Sequence, residues 1–539
     1  MQVDSVRPLS AWWSVTAPSV LLALASVAPA AELRIKVVDE QSRPLPCRVL
    51  VRPAGGDCIM PEGAVTVPIP PDKWFACVDS AIVEVPEGDV LLRVERGLEY
   101  VRFKQEIKAT APETTKIVTL RRWIDMRSRG YMCGENHVHV APAELGPMLV
   151  AEGLDFGTSL TWWNGPDARR PIPAGSQRVS TLEFAGQSVP SSVFDAELEY
   201  GWGAAYIQNL PAPMPIETDR ARPNLDYVRH ACEVGGLVSY QAGWSREVLL
   251  DALLGYVHVV NICNNNFHMH RFQPRSHYSN LLQVPDFPVY DDTDQGMMRM
   301  NTDTYYRLLN CGLKLATGAG TAIGVKPNPV GYNRAYIRVA ADASLQEFNK
   351  AWAAGKNFVT NGPMIFLKTG AGQKPGDTID FSADGDRVSV ELTILSDQPL
   401  TSAEVVVNGQ VVHTFEVAEK HQFSGTAEID VRKGSWLAAR CTARDDLLTG
   451  QELSVYRSGA DEHRFRQRPS RLRFAHTSPI YLSVDGQDVA VPGSIREGLL
   501  MLDHFERFTR EQADDQYIGP TTAAIEKARE SLRDRLEPQ

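Results

Sequence analysis

Between residues 123 and 363 short apolar runs alternate with stretches of helical pattern, and this alternation constrains the fold of the chain more than any other feature. Ala143 to Glu152 reads as a helix ahead of Leu154-Asp155-Phe156, and Asn224 to Val234 as one ahead of Gly236-Leu237-Val238-Ser239-Tyr240. Arg246 to Leu254 before Tyr256-Val257-His258-Val259-Val260 repeats the unit, as does Asp303 to Cys311 before Leu313-Lys314-Leu315-Ala316. Such alternation predicts a parallel sheet, because parallel neighbours need a long crossover and a helix supplies it.

The run Gly130-Tyr131-Met132-Cys133-Gly134-Glu135-Asn136-His137-Val138-His139-Val140 ends the first strand of that region. Residues two apart in extended chain project from one face, so His137 and His139 can reach one metal ion together. The spacing is weak by itself in a chain with twelve histidines. It gains weight from the ordered series that follows: Leu160-Thr161-Trp162-Trp163-Asn164, Gly235-Gly236-Leu237-Val238, Asn264-Asn265-Asn266-Phe267-His268-Met269-His270, Gly318-Ala319-Gly320-Thr321 and Phe358-Val359-Thr360-Asn361-Gly362-Pro363.

Over roughly residues 123–370 this series resembles the CehA/McbA branch of the PHP (polymerase and histidinol phosphatase) metallohydrolases. The resemblance implies a distorted (β/α)7 barrel with its catalytic groups at the C-terminal ends of the strands. It also exposes substitutions. The family's Thr-Asp-His reads Thr161-Trp162-Trp163 here, its His after Gly-Gly-Leu-Val falls in Ser239-Tyr240-Gln241-Ala242, and its later Asp falls at Thr321-Ala322. Tryptophan and alanine offer no lone pair to a cation, so one divalent metal, Zn or Mn, is expected at most.

Three acidic residues are candidates to complete a site with the histidines: Glu135, and Glu197 or Glu199 ahead of the small-residue run Gly201-Trp202-Gly203-Ala204-Ala205. The expected ligands are His137, His139, Glu199 and His270, with Glu135 and His268 as catalytic groups. Trp162, Trp163, Asn264, Asn265 and Arg271 are expected to line the pocket. The paired indoles fit a second reading, in which they fill space left by lost ligands.

The whole chain therefore reads as α/β plus all-β: a PHP-type barrel (123–363) flanked by β-sandwich modules (32–122 and 364–490) and a C-terminal helical segment (491–539). Alternating runs such as Leu33-Arg34-Ile35-Lys36-Val37-Val38 and Arg387-Val388-Ser389-Val390-Glu391-Leu392, and the Asn408-Gly409 turn, mark the flanking strands. Residues 164–200, rich in Pro, Ser and Gly and without clear periodicity, and 264–302 read as long connections, and the aromatic and cationic content of the second favours an ordered pocket wall. Residues 1–31 carry the basic, apolar and small-residue order of a cleavable signal peptide. Of eight cysteines, Cys47, Cys58 and Cys77 crowd together, and a Cys58–Cys77 bridge is expected.

A net charge of −11 without a long basic run argues against nucleic acid as a partner, and no segment after cleavage is apolar enough to span a bilayer. Two functions remain open: an exported metal-dependent hydrolase acting on an ester, amide or phosphoester of a small molecule, or a catalytically degenerate binding or scaffold protein.

Overall fold

The computed structural model describes residues 30–70, 72–164, 170–267, 269, 288–291, 293–382, 386–445 and 471–536. Within them the protein is mixed α/β, with strands gathered into five sheets. The expected signal peptide lies outside the described residues except for Ala30 and Ala31, which begin the first strand, Ala30–Val38.

The N-terminal strands form a three-stranded and a five-stranded sheet. In Ala30–Val38 the alternating Leu33, Ile35 and Val37 are buried, and they meet Val49, Val51, Val90, Leu92 and Val94 from the other sheet in one core. The sandwich is not antiparallel throughout, since Ala30–Val38 pairs antiparallel with Ser80–Pro86 but parallel with Glu113–Thr119.

The central sheet runs Gly157–Trp163, Gln187–Tyr200, Gly203–Gln208, Leu237–Tyr240, Val259–Cys263, Ala316–Ala319, with Ser180–Phe184 added beside Gln187–Tyr200. Gly157–Trp163 is parallel to Gln187–Tyr200, and the last three strands are mutually parallel. Gly203–Gln208 runs antiparallel to both neighbours, so the sheet is mixed. The helices Pro142–Glu152, Leu225–Glu233, Val248–Leu253 and Asp294–Asn310 fall close to the expected ones, the last starting nine residues earlier than Asp303. Pro142–Glu152 opens on proline and closes at Gly153 in the left-handed conformation (φ 66°), whose N–H returns to the last turn.

Two expectations are corrected here. Leu154-Asp155-Phe156 precedes the strand instead of forming it. Residues 164–200, read as a connection, contain Ser180–Phe184 and the 14-residue strand Gln187–Tyr200. From Val193 to Leu198 both faces of that strand are buried, so the period-2 alternation that marks a half-exposed strand is missing.

The strand before the histidines, Tyr131–Gly134, pairs antiparallel with Arg334–Arg338 in a nine-stranded sheet. That sheet continues through Asn357–Thr360 to Arg473–Thr477, Ser435–Ala443 and Ile480–Val484, so it crosses the boundary expected at residue 363. The C-terminal tail is two helices, Pro492–Gln512 and Asp515–Asp534, not one. Ile525, Ala528 and Leu532 form the buried stripe of the second. No described helix is long and apolar enough to cross a membrane.

Candidate metal centre

The chain from Cys133 to His139 is held between two parts of the central sheet. On one side Phe156 N bonds to Cys133 O and Leu160 N to Val138 O. On the other, Asn136 N bonds to Ala319 O, Ala322 N to His137 O, and His139 N to Ile323 O, each at 2.8–3.1 Å. This pinning keeps the run extended just beyond Tyr131–Gly134. Val138 therefore points into the core, while the two imidazoles share the opposite face.

Glu197 meets them there. It lies in register with Trp163 on one neighbouring strand and Tyr206 on the other. Those two aromatics pack on the histidines, Trp163 against His139 with centroids 4.5 Å apart and Tyr206 against His137 at 4.2 Å. One row across three strands thus supplies a carboxylate and a wall for each ring.

His137 Nε2 and His139 Nε2 are 2.9 Å apart, and Glu197 lies 2.9 Å from His139 Nε2 and 3.6 Å from His137 Nε2. All three residues are at least 97% buried, and they are the only described group of three or more ligand-type side chains this close, within 4.8 Å of one another. Glu197 Oε2 makes no hydrogen bond despite its closeness to His139, and neither Nδ1 atom has a hydrogen-bond partner. Burial holds the His137 pKa below its ordinary value, so at neutral pH its nitrogen carries a lone pair. Burial would raise the Glu197 pKa, but the two histidines hold it at about 2, leaving an ionised carboxylate.

The arrangement fits a metal. Ligand atoms about 2.0–2.2 Å from a zinc ion lie roughly 3–3.5 Å from one another by simple geometry, close to the observed separations. Two imidazole nitrogens and a carboxylate are also a donor set that suits zinc or manganese.

Glu199, expected as the acidic ligand, is on the same strand face but two residues farther on, and it lines an open cleft of 490 Å³ with Asn164, Trp202, Arg220 and Phe508. Burial and then the Glu197 charge raise its pKa to about 8. Its side chain still reaches solvent, which weakens the burial contribution, while repulsion from Glu197 preserves the direction.

Glu135, expected as a catalytic group, is turned elsewhere: its carboxylate accepts from Thr321 N, Thr321 Oγ1 and Gly331 N, each at 2.6 Å. It braces the loop after Ala316–Ala319. Trp162 points away from its neighbour into the core beside Tyr227, so the space-filling reading suits it, whereas Trp163 lies at the histidines. Asn264 and Asn265 are buried and spent on internal bonds, Asn264 to Gln241 O at 3.0 Å and Asn265 from Gln241 Nε2 at 2.9 Å. His268, His270 and Arg271 lie outside the described residues.

Several site residues escape sequence reasoning. Asn136 and Asn261 exchange two side-chain hydrogen bonds of 2.7 and 2.8 Å beside His137, and Asn136 also donates to Ser239. Gly320 and Gly324 lie against the histidines: a Cβ at Gly320 would meet His137 Cβ at 2.5 Å, and one at Gly324 would meet His139 O at 2.8 Å. Arg170 Nε donates to His139 O at 3.1 Å. Glu197, by contrast, is a sequence candidate, named with Glu199 ahead of the small-residue run 201–205.

A larger cleft of 590 Å³ lies where the N-terminal strands meet the central region, among Arg96, Glu99, Arg122, Asp155 and Arg334. None of His137, His139 and Glu197 lines it, and it presents both charge signs. No family model, curated protein or solved structure matches the chain.

Proposed function

We propose that the protein is a metal-dependent hydrolase in which His137, His139 and Glu197 hold one divalent cation, zinc or manganese. The observation that carries this reading is the convergence of two imidazole nitrogens and a carboxylate in a buried spot where they satisfy one another poorly. A bound ion of this kind polarises a substrate oxygen and brings the pKa of its water to about 7.

The chain's own residues do the rest. Trp163 and Tyr206 fix the two ring planes, and the Asn136–Asn261 pair holds the backbone beside them. Glu199, beside the trio and at the cleft, lies where it can exchange a proton with a leaving group, and repulsion from Glu197 favours its protonated form. Lys326 acts electrostatically on both His137 and Glu199, which suits a substrate carrying negative charge, such as a phosphoester. The substrate class is an ester, amide or phosphoester of a small molecule.

The PHP-type barrel belongs to this reading. It is supported by the parallel pairings of the central sheet and by hydrogen bonds from the 133–139 run to Phe156 and Leu160 on one side and to residues 319–323 on the other. Export is proposed with it, on the signal-peptide pattern of residues 1–31.

A second reading is a binding protein that keeps the pocket without the chemistry. The burial of Trp162 in the core and the engagement of Glu135 with Thr321 and Gly331 favour it. Elemental analysis of protein purified without chelator separates the two when paired with turnover of an ester and phosphoester panel. About one zinc or manganese per chain, lost in His137→Ala together with turnover, is the expected result. Metal-free protein whose melting is unmoved by chelator ends the hydrolase reading.

A further inference from the structure

We propose that Cys47 and Cys77 are joined by a disulfide when the chain folds under oxidising conditions. Cys47 opens the strand Cys47–Pro53 and Cys77 closes the antiparallel strand Asp72–Cys77, and the two residues are direct cross-strand partners. Directly opposed residues in an antiparallel pair have Cα atoms about 4.5–5.5 Å apart, inside the roughly 4.4–6.8 Å that a disulfide spans. Both side chains project into the same core, where both are buried.

Cys58, the partner expected from sequence crowding, packs into a different core and takes a hydrogen bond from Arg52 Nε at 3.3 Å. The other cysteines with a thiol contact face non-cysteine groups: Cys133 faces Gly153 O, Cys232 faces Tyr256 O, Cys263 faces Asn333, and Cys311 faces Ser494 O. Among the described cysteines, 47 and 77 alone are paired by strand register.

The oxidant is a disulfide of a small thiol or of an exchange enzyme. With glutathione disulfide, the Cys77 thiolate attacks one sulfur and expels a glutathione thiolate, and the Cys47 thiolate then attacks Cys77 and expels the second. Two protein thiols lose two electrons and two protons, and one glutathione disulfide becomes two glutathiones. Both thiols are buried in the folded chain, so the exchange belongs to folding.

The test is oxidative refolding of the full chain in glutathione buffer, then alkylation under denaturing conditions and peptide mapping without reductant. A linked pair of peptides carrying Cys47 and Cys77, with the remaining cysteines alkylated, is expected. Reductant should then lower the melting temperature of the wild type by a few degrees and leave Cys47→Ala/Cys77→Ala unmoved. Alkylated Cys47 and Cys77, or a bridge mapping to Cys58, overturns the proposal, and the map is read on the wild type, so it stands even if the variant does not fold.

Discussion

Glu197 is the residue on which the metal reading turns, because among the described residues it is the carboxylate that joins both imidazoles in one close group. Glu197→Gln keeps the volume and removes the charge. It should weaken metal binding by more than the roughly 10–100-fold that loss of a supporting residue costs, read by metal titration of stripped protein. The chelator-sensitive part of wild-type thermal stability should vanish with it. A different pair of acids gives a pH prediction. Glu247 accepts from Asn224 N and Leu225 N, Asp251 accepts from Tyr240, and both carboxyls are fully buried. Burial, reinforced by their mutual repulsion, raises the Glu247 pKa well above the carboxylate range, and burial raises that of Asp251 to about 8. The folded state therefore holds a proton that the unfolded chain releases near pH 4, and the stability this confers is lost as pH rises through about 8. Asp251→Asn should flatten that decline, measured as urea midpoints at pH 6 and 9. An unchanged slope would show that the proton is not held there.

At the scale of elements, the loop after Ala316–Ala319 positions the site as much as the strands do. Gly320→Ala drives a methyl into His137, so metal occupancy should fall sharply, while overpacking costs the fold about 1–3 kcal/mol. The helix Leu345–Ala353 supplies the contrast. Its capping box, Ser344 Oγ from Glu347 N and Ser344 N to Glu347, is exposed and shares no hydrogen bond with the buried histidines. Ser344→Ala should cost about 0.5–2 kcal/mol in denaturant melts and leave metal content unchanged. The legibility of elements followed burial. The hairpin around Asn408-Gly409 was plain, since both residues sit at positive φ (49° and 85°) where this dipeptide is favoured. Gln187–Tyr200 was hidden, because a strand buried on both faces that carries Asp195 and Glu197 looks neither alternating nor apolar.

For the molecule as a whole, the question is what ties the N-terminal strands to the centre. Arg48 on Cys47–Pro53 pairs with Glu95 of its own sandwich and with Glu152 at the end of Pro142–Glu152, all nearly fully buried. Burial alone would raise the Glu95 pKa, but Arg48 and Arg93 hold it far below the carboxylate range. Arg102 makes a second link, to Asp445 at 2.9 Å, where Arg471 and Arg473 also converge. Arg48→Ala leaves Glu152 buried without this partner and should cost about 3–5 kcal/mol. Limited proteolysis should then cut between the N-terminal strands and residue 131 at lower denaturant than in the wild type.

The sequence by itself determined the mixed α/β class, the flanking strands, most helices of the central region and the shared face of His137 and His139. Each of these depends on local periodicity or on residues two to four apart, which a linear chain displays. Only the tertiary structure decided that Glu197 and not Glu199 meets the histidines, that Glu135 braces a loop, and that Cys77 faces Cys47. Those choices depend on strand register between segments far apart in the chain, and a shift of one residue there exchanges the faces of a whole strand.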